Sequence, residues 1–152
     1  MNLDTTDKKI LFYLQKDSKM TTKELSIYLD LSNTAIYERV KKLEKSKVIE
    51  KYVAIVNKEK VAKSFMVYCQ IKLVQHKHEF VSKFEKEVIK FDEVLECYNI
   101  SGDYDYILKI VVKNMKAYRD FLNNKLTSLD HISSAHSNFI INEVKNTLEI
   151  TV

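Results

Sequence analysis

Between Thr21 and Tyr52 the chain reads TTKELSIYLDLSNTAIYERVKKLEKSKVIEKY, and the order of caps, apolar positions and charges in that run leaves few folds open. Thr21 followed three residues on by Glu24 forms a capping box: the hydroxyl accepts a backbone N–H while the carboxylate reaches back to the cap, so a helix starts there. Leu25 and Leu29 give that helix a buried stripe, and Asp30-Leu31-Ser32 breaks it. Ser32 caps a second helix, whose Ile36, Val40 and Leu43 recur at i, i+4, i+7 on one buried face. At about 100° per residue, Thr34, Glu38, Lys41 and Lys45 then fall on the opposite face. Two short helices around a tight turn, the second displaying short polar and basic groups, suit a DNA major groove about 12 Å wide.

An amphipathic helix pair with a solvated lysine face would read the same way up to this point, so the flanking residues decide. After Asp4, the stretch TTDKKILFYLQKD places Ile10, Leu11 and Leu14 on one side and completes a tri-helical core. After the second helix, VIEKYVAIV runs like a short strand, the expected place for a wing touching phosphate. Charge is partitioned as well. Residues 1–60 hold 13 Lys+Arg against 9 Asp+Glu, and residues 61–152 hold 12 against 12, so the whole net charge of +4 sits at the N-terminal end. Arg39, Lys41, Lys42, Lys45, Lys47 and Lys51 crowd into the second helix and wing against only Glu38, Glu44 and Glu50. Ser32, Asn33, Thr34, Tyr37, Glu38 and Lys41 are therefore expected at base edges of double-stranded DNA. Arg39, Lys42, Lys45 and Lys47 are expected to meet phosphate or to brace the helix, Arg39 standing closest to the buried stripe.

With 45% hydrophobic and 30% charged residues, the composition is that of an ordinary globular protein. No apolar run approaches 18 residues and the polar N-terminus lacks a signal-peptide core, so no membrane partner and a cytoplasmic location are expected. Cys69 and Cys97 lie among apolar neighbours without C-x-x-C spacing and read as buried thiols. No proline and a single glycine leave the usual linker signals out, so the boundary is read from a pattern change near Asn57 to Ser64. It divides a domain of residues 1–60 from one of residues 61–152.

The second domain alternates. FMVYCQIKLV places Phe65, Val67, Cys69, Ile71 and Leu73 on one face of a strand. A helix follows over Lys77 to Phe91 with Phe80, Val81, Phe84 and Val88 as its stripe. VLECYNIS and YDYILKIVV are two strands joined at Gly102-Asp103, chemistry suited to a turn with φ > 0. A helix from Met115 to Leu129, with Met115, Tyr118, Leu122 and Leu126 in line, and a strand from Ile132 to Lys145 complete β-α-β-β-α-β. That order is the ferredoxin-like unit, both helices on one sheet face, and the fold class is α+β. The tail TLEITV alternates and is expected as an added edge strand, exchanged between subunits. Met66, Tyr68, Val74, Ile107 and Val111 on the uncovered face predict sheet-to-sheet association, at least a homodimer.

Taken whole, the chain resembles the Lrp/AsnC, or feast/famine, regulators. LDTTDKKILFYLQKDSKMTTKELS resembles the family's opening, LSNTAIYERVKKLE its recognition helix, VIEKYVAIVN its wing, SGDYDYILKIVV the G-x-Y-D-Y turn and FIINEVK the closing strand. The resemblance implies a winged helix-turn-helix followed by a ferredoxin-like sensing domain, in dimers that assemble further, commonly to octamers. It implies a transcription regulator answering to amino acids. Where the family usually has glycine, this chain has Lys47, Lys51 and Lys63, so those turns must be made without it.

A free amino acid needs backbone N–H donors for its carboxylate and an acceptor for its ammonium. Ser101, Gly102, Asp103, Tyr104 and Asp105 offer both, with Asp103 or Asp105 as acceptor and Tyr98, Tyr104 and Tyr106 as aromatic walls. On the residues alone a plain hairpin is the preferred reading of this turn; the resemblance turns it toward ligand binding. The same resemblance implies that Ser133, Ser134, Ala135, His136 and Ser137 of a neighbouring subunit complete the pocket. His76-x-His78 reads as a solvated helix start rather than a metal site, and His131 and His136 lack ligand spacing. No nucleophile constellation or phosphate loop is present, so neither a cofactor nor an enzyme activity is expected. The competing reading is an architectural DNA-compacting protein that ignores amino acids.

Overall fold

The computed structural model describes residues 2–152. They divide into two compact units, one running to Ile55 and taking up the tail Lys145–Val152, the other comprising Val56–Val144. In the first unit, α1 (Thr5–Lys16), α2 (Thr22–Leu29) and α3 (Asn33–Lys45) enclose a core of Ile10, Leu11, Leu14, Leu25, Ile36, Val40 and Leu43. Each helix starts on a side-chain cap. Asp4 and Asp7 form one capping box, Thr21 and Glu24 another, and Ser32 Oγ accepts the Ala35 N–H at 3.2 Å. The helices therefore begin where the cap residues dictate.

Three non-glycine residues adopt left-handed backbone: Asp30 (φ 51°), Lys47 (φ 60°) and Ala62 (φ 53°). All three sit where a helical turn is closed by a 6→1 hydrogen bond: Leu31 N–H to Ser26 O (3.1 Å), Val48 N–H to Leu43 O (3.0 Å) and Lys63 N–H to Lys58 O (2.8 Å). This is the C-terminal motif that glycine normally serves. Lys47 thus takes the strained position expected of it, whereas near Lys63 the strain falls one residue earlier, on Ala62, and Lys51 adopts no positive φ.

The second unit is a four-stranded antiparallel sheet in the order β2-β3-β1-β4, built from β1 (Phe65–Leu73), β2 (Val94–Asn99), β3 (Tyr106–Val112) and β4 (Ile132–Phe139). α4 (His78–Val88) and α5 (Met115–Phe121) contribute Phe84, Val88, Tyr118 and Phe121 to one core with Val67, Cys69, Ile71, Leu73, Leu108 and Ile110, so both helices cover the same sheet face. This is the expected ferredoxin-like arrangement, with neighbouring strands antiparallel. Cys69 is buried and Cys97 half-buried, both as free thiols, and burial pushes the Cys97 thiol up to about 11.

Five expectations change in detail. The wing after α3 is not a strand: no described strand pairs with it, and Val53, Ile55 and Val56 stay exposed. The tail forms no edge strand either. The Gln15 amide donates to Ile150 O (3.0 Å) and accepts from Ile150 N–H (2.7 Å), giving the tail backbone a partner without a ladder. The helix expected from Met115 to Leu129 widens into a π-turn over Leu122–Leu126, where Thr127 N–H reaches Leu122 O at 2.9 Å. Phe121 is buried beside Tyr118 and Leu126, and Met115 is exposed. β4 stops at Phe139. Finally, of the residues expected on the second sheet face, Met66 and Val111 are already buried within the protomer and Tyr68 and Ile107 are half-buried, while Val74 is exposed, and further exposed apolar surface lies at Leu95, Ile141 and Val144.

A left-handed L-residue costs roughly 1–2 kcal/mol, against about 0.5–1 kcal/mol of extra chain entropy for glycine. Ala62→Gly should therefore stabilise the protein by about 0.5–1 kcal/mol, read as a higher urea midpoint at an unchanged slope. A lower midpoint would show that the backbone at 62 carries no strain.

Candidate nucleic-acid interface and ligand site

α3 is amphipathic as the spacing requires. Ile36, Val40 and Leu43 are buried, while Asn33, Thr34, Tyr37, Glu38, Lys41, Lys42 and Lys45 are exposed. Ser32 spends its hydroxyl on the helix cap. Lys41 pairs with Glu44 at 3.0 Å and lies 5.8 Å from the Tyr37 ring centroid, on the free face. Arg39 points elsewhere: its Nη1 lies 2.7 Å from both Asp4 Oδ2 and Asp7 Oδ1. Of the two roles expected of Arg39, the structure displays the brace. Lys42, Lys45 and Lys47 are exposed and form no ion pair among the described residues.

One partner escaped sequence reasoning. Tyr52, in the wing, donates its hydroxyl to Glu44 Oε1 at 3.1 Å, and burial together with that carboxylate pushes the phenol up to about 12. The wing is thereby tied to the last turn of α3 by a side chain rather than by a strand. Glu44 between two cationic lysines in sequence gives no hint that a tyrosine eight residues on will share it.

In the second unit, the connection from β2 to β3 turns at Gly102, whose φ of +119° is open to glycine alone. A Cβ placed there would meet nothing within 4 Å, so backbone conformation and not crowding selects the residue. Asp105 closes the turn. Its Oδ2 accepts the Leu73 N–H (2.7 Å), its Oδ1 lies 2.7 Å from His76 Nε2, and its carbonyl accepts from Ile100 N–H (2.9 Å) and Asn99 Nδ2 (3.0 Å). Burial alone would raise the Asp105 carboxyl; the Leu73 N–H and His76 outweigh it and hold the pKa below the usual value. Asp103 and Ser101 are exposed.

The expected walls separate. Tyr104 approaches His136 of the same chain, ring centroids 6.1 Å apart, because β1 sets the turn and β4 side by side. Tyr98 is exposed and bonds Glu96 at 3.2 Å. Tyr106 is not a wall: it is 2% exposed, on the helix-covered face, and donates to Glu85 at 2.8 Å. The period-2 alternation of a strand sends 106 opposite to its neighbours. Within β4 alternation and a register shift divide the candidates. Ala135 packs on the core and Ser137 meets the Tyr118 hydroxyl at 2.5 Å on that side, Ser134 and His136 are exposed, and Ser133, at the register shift opposite Lys72 and Leu73, bonds Lys72 O at 3.2 Å. His78 pairs only with Ser82, at 3.4 Å. A concavity of about 650 Å³ lies elsewhere, between α1, the wing and the tail of the first unit.

The sequence matches the Lrp/AsnC ligand binding domain over residues 66–150 and a winged helix-turn-helix DNA-binding domain over residues 3–50. The HTH-type transcriptional regulator FL11 of Pyrococcus furiosus is 34% identical over 150 residues, 99% of this chain and 97% of that protein. The leucine-responsive regulatory protein of Escherichia coli K12 is 34% identical over 151 residues, covering 99% of this chain and 92% of its own. A transcriptional regulator of Neisseria meningitidis, solved as its L-Met complex, superposes with a TM-score of 0.94 at 30% identity, over 98% of this chain and 96% of that one. No helix among the described residues is long and apolar enough to cross a membrane.

Because the Asp105 pKa is depressed in the folded chain, its contribution to stability is complete above the ordinary carboxylate value of about 3.9 and is lost as pH falls through the lower folded value. Between pH 5 and pH 2.5, Asp105→Asn should therefore flatten the decline in melting temperature of the sheet unit. Parallel wild-type and variant curves would mean that the carboxylate does not hold the turn.

Proposed function

The chain belongs to the Lrp/AsnC family of transcription regulators, and from that premise we infer that it reads DNA through α3 as a symmetric oligomer whose affinity a free amino acid adjusts at the Gly102 turn. Asn33, Thr34, Tyr37, Glu38 and Lys41 face the base edges, and Lys42, Lys45 and Lys47 meet phosphate. The protein acts in the cytoplasm and is not an enzyme. The exposed apolar positions Val74, Leu95, Ile141 and Val144 support association into a homodimer and, from dimers, an octamer.

The observation that carries the ligand reading is what the turn gathers on one protomer: a positive-φ glycine, an exposed carboxylate at Asp103 and the Tyr104–His136 ring pair. Of the two aspartates weighed for the ammonium, Asp105 has both oxygens engaged within the chain, which leaves Asp103. The carboxylate of the ligand takes backbone N–H groups at Ser101 and Gly102. A neighbouring subunit supplies the missing wall, the Ser133 to Ser137 segment being the candidate. The L-Met complex of the Neisseria regulator supports an amino acid as the class.

Calorimetry of the assembled protein against all twenty amino acids should find one or a few that bind at millimolar concentration or below and raise the melting temperature. Gly102→Val should abolish that response through strain at φ +119° while DNA binding persists. Binding by none of the twenty favours the architectural reading. For DNA, Lys45→Ala should weaken every duplex alike and lower the slope of log Kd against log salt by about one. Affinity indifferent to salt would remove the phosphate contacts from the reading.

A further inference from the structure

We propose that Arg39 is a positioning residue for DNA reading: it locks the rotation of α3 about its own axis by gripping the capping box of α1, and through that lock sets discrimination between sequences without touching DNA. The inference rests on α3 being the reading helix.

The geometry is specific. The capping box of α1 is made of two aspartates, and each divides its oxygens between two tasks. Asp4 Oδ1 accepts the Asp7 N–H at 2.8 Å, and Asp7 Oδ2 accepts the Asp4 N–H at 3.3 Å. The remaining oxygens, Asp4 Oδ2 and Asp7 Oδ1, both converge on Arg39 Nη1 at 2.7 Å. The box brings two like charges together at one helix N-terminus, and the guanidinium neutralises them. Asp7 is 3% exposed and is the one buried charged residue of the described chain, so Arg39 cannot swing toward a phosphate without leaving a buried carboxylate unpaired. The guanidinium is held more firmly protonated by its two hydrogen-bonded carboxylates, and the Asp4 carboxyl is lowered first by the Asp7 N–H and then by Arg39.

Arg39 leaves α3 on the flank between the buried stripe and the free face. Side chains reach about 5–6 Å from a helix axis, so a 10° rotation of α3 displaces a reading group by about 1 Å, beyond the tolerance of a hydrogen bond to a base edge. Ile36 and Val40 pack α3 against the other helices without directional bonds, whereas the two hydrogen bonds of 2.7 Å fix a direction. Phosphate contacts on long lysine side chains absorb such a displacement, and contacts from Asn33, Thr34 and Glu38 do not. The brace should therefore act on specificity and leave the sequence-independent attraction alone.

The test uses the full-length protein and two labelled duplexes: the one that the wild-type chain enriches most from a randomised pool, and its scrambled counterpart. Kd is measured for both across salt, well below the melting temperature, for Arg39→Gln, Asp7→Asn, their double variant and Lys45→Ala. Arg39→Gln and Asp7→Asn should each weaken the enriched duplex about tenfold, leave the scrambled one within about twofold and keep the salt slope. The double variant should be no worse than either single one. Arg39→Lys should recover part of the ratio, since one ammonium can satisfy one carboxylate. Lys45→Ala should weaken both duplexes and lower the slope. The proposal is overturned if Arg39→Gln lowers the slope on both duplexes as Lys45→Ala does while Asp7→Asn changes nothing, or if the variants lose thermal stability with the enriched-to-scrambled ratio intact. If Arg39→Gln does not fold, Asp4→Asn and Arg39→Lys carry the same comparison, each being expected to lower the ratio at constant slope. A wild-type chain that enriches no duplex defeats the DNA reading itself, an outcome distinct from either failure of the brace.

Discussion

β1 is hydrogen-bonded along both edges, to β3 from Phe65 to Ile71 and to β4 from Val67 to Leu73, and the candidate ligand segments take their positions from its last three residues. Ile71 O accepts the Asp105 N–H, Leu73 N–H reaches the Asp105 carboxylate, and Lys72 O accepts the Ser133 hydroxyl. The register that allows this is enforced by burial. A one-residue slip would turn Val67, Cys69, Ile71 and Leu73 out of the core together. The apolar alternation of one strand thus decides where a polar turn and a polar strand meet, although none of the residues that meet there is apolar enough to direct its own placement.

The first unit solves a different problem. Its core of seven buried apolar side chains is small, and a unit of this size is marginal on burial alone. Caps, left-handed helix ends and ion pairs therefore hold a large share of its shape. Arg39, Asp4 and Asp7 join α3 to α1, and Glu44 with Tyr52 joins α3 to the wing. Those links hold Arg39 and Glu44 within the chain, while Lys42, Lys45 and Lys47 form no ion pair among the described residues. Lys47 carries both consequences at once: it adds a cation at the end of α3 and bears a left-handed backbone that glycine would adopt at less cost.

Helix starts and core faces were legible because they depend on neighbours in sequence. Thr21 with Glu24, Ser32, and the stripe Ile36, Val40 and Leu43 are local facts, and so is the alternation of β1. What depended on distant partners was not legible. The wing has strand-like composition but pairs with no strand among the described residues: Val48 and Ile49 bond back to Leu43 O, and 50–57 carry no regular structure. The tail alternates like a strand but finds the Gln15 amide, 135 positions away. The π-turn at Leu122–Leu126 is an i→i+5 closure that a constant helical period does not signal. In the candidate ligand site, Gly102 was readable from its chemistry. The occupation of Asp105 by Leu73 and His76 was not, and neither was the inward face of Tyr106, which follows from strand parity once β3 begins at that residue.

Regulation in this reading is a difference in free energy between two geometries of an oligomer, and its size bounds the parts that can carry it. A coupling of roughly 1–3 kcal/mol corresponds to about 5- to 150-fold in DNA affinity, and linkage requires DNA to alter amino-acid affinity by the same factor. A single hydrogen bond contributes about 1 kcal/mol net, somewhat more when charged. The chain passes between the two units twice, at 55–56 and at 144–145, and the second passage leads from β4, which bears His136, into the tail that Gln15 holds by two hydrogen bonds. Two such bonds, at about 2 kcal/mol together, fall within the required coupling. On the proposed reading, a ligand at the Gly102 turn changes how α3 meets DNA by exchanging a few bonds of that size along a continuous backbone, without unfolding or rebuilding either unit.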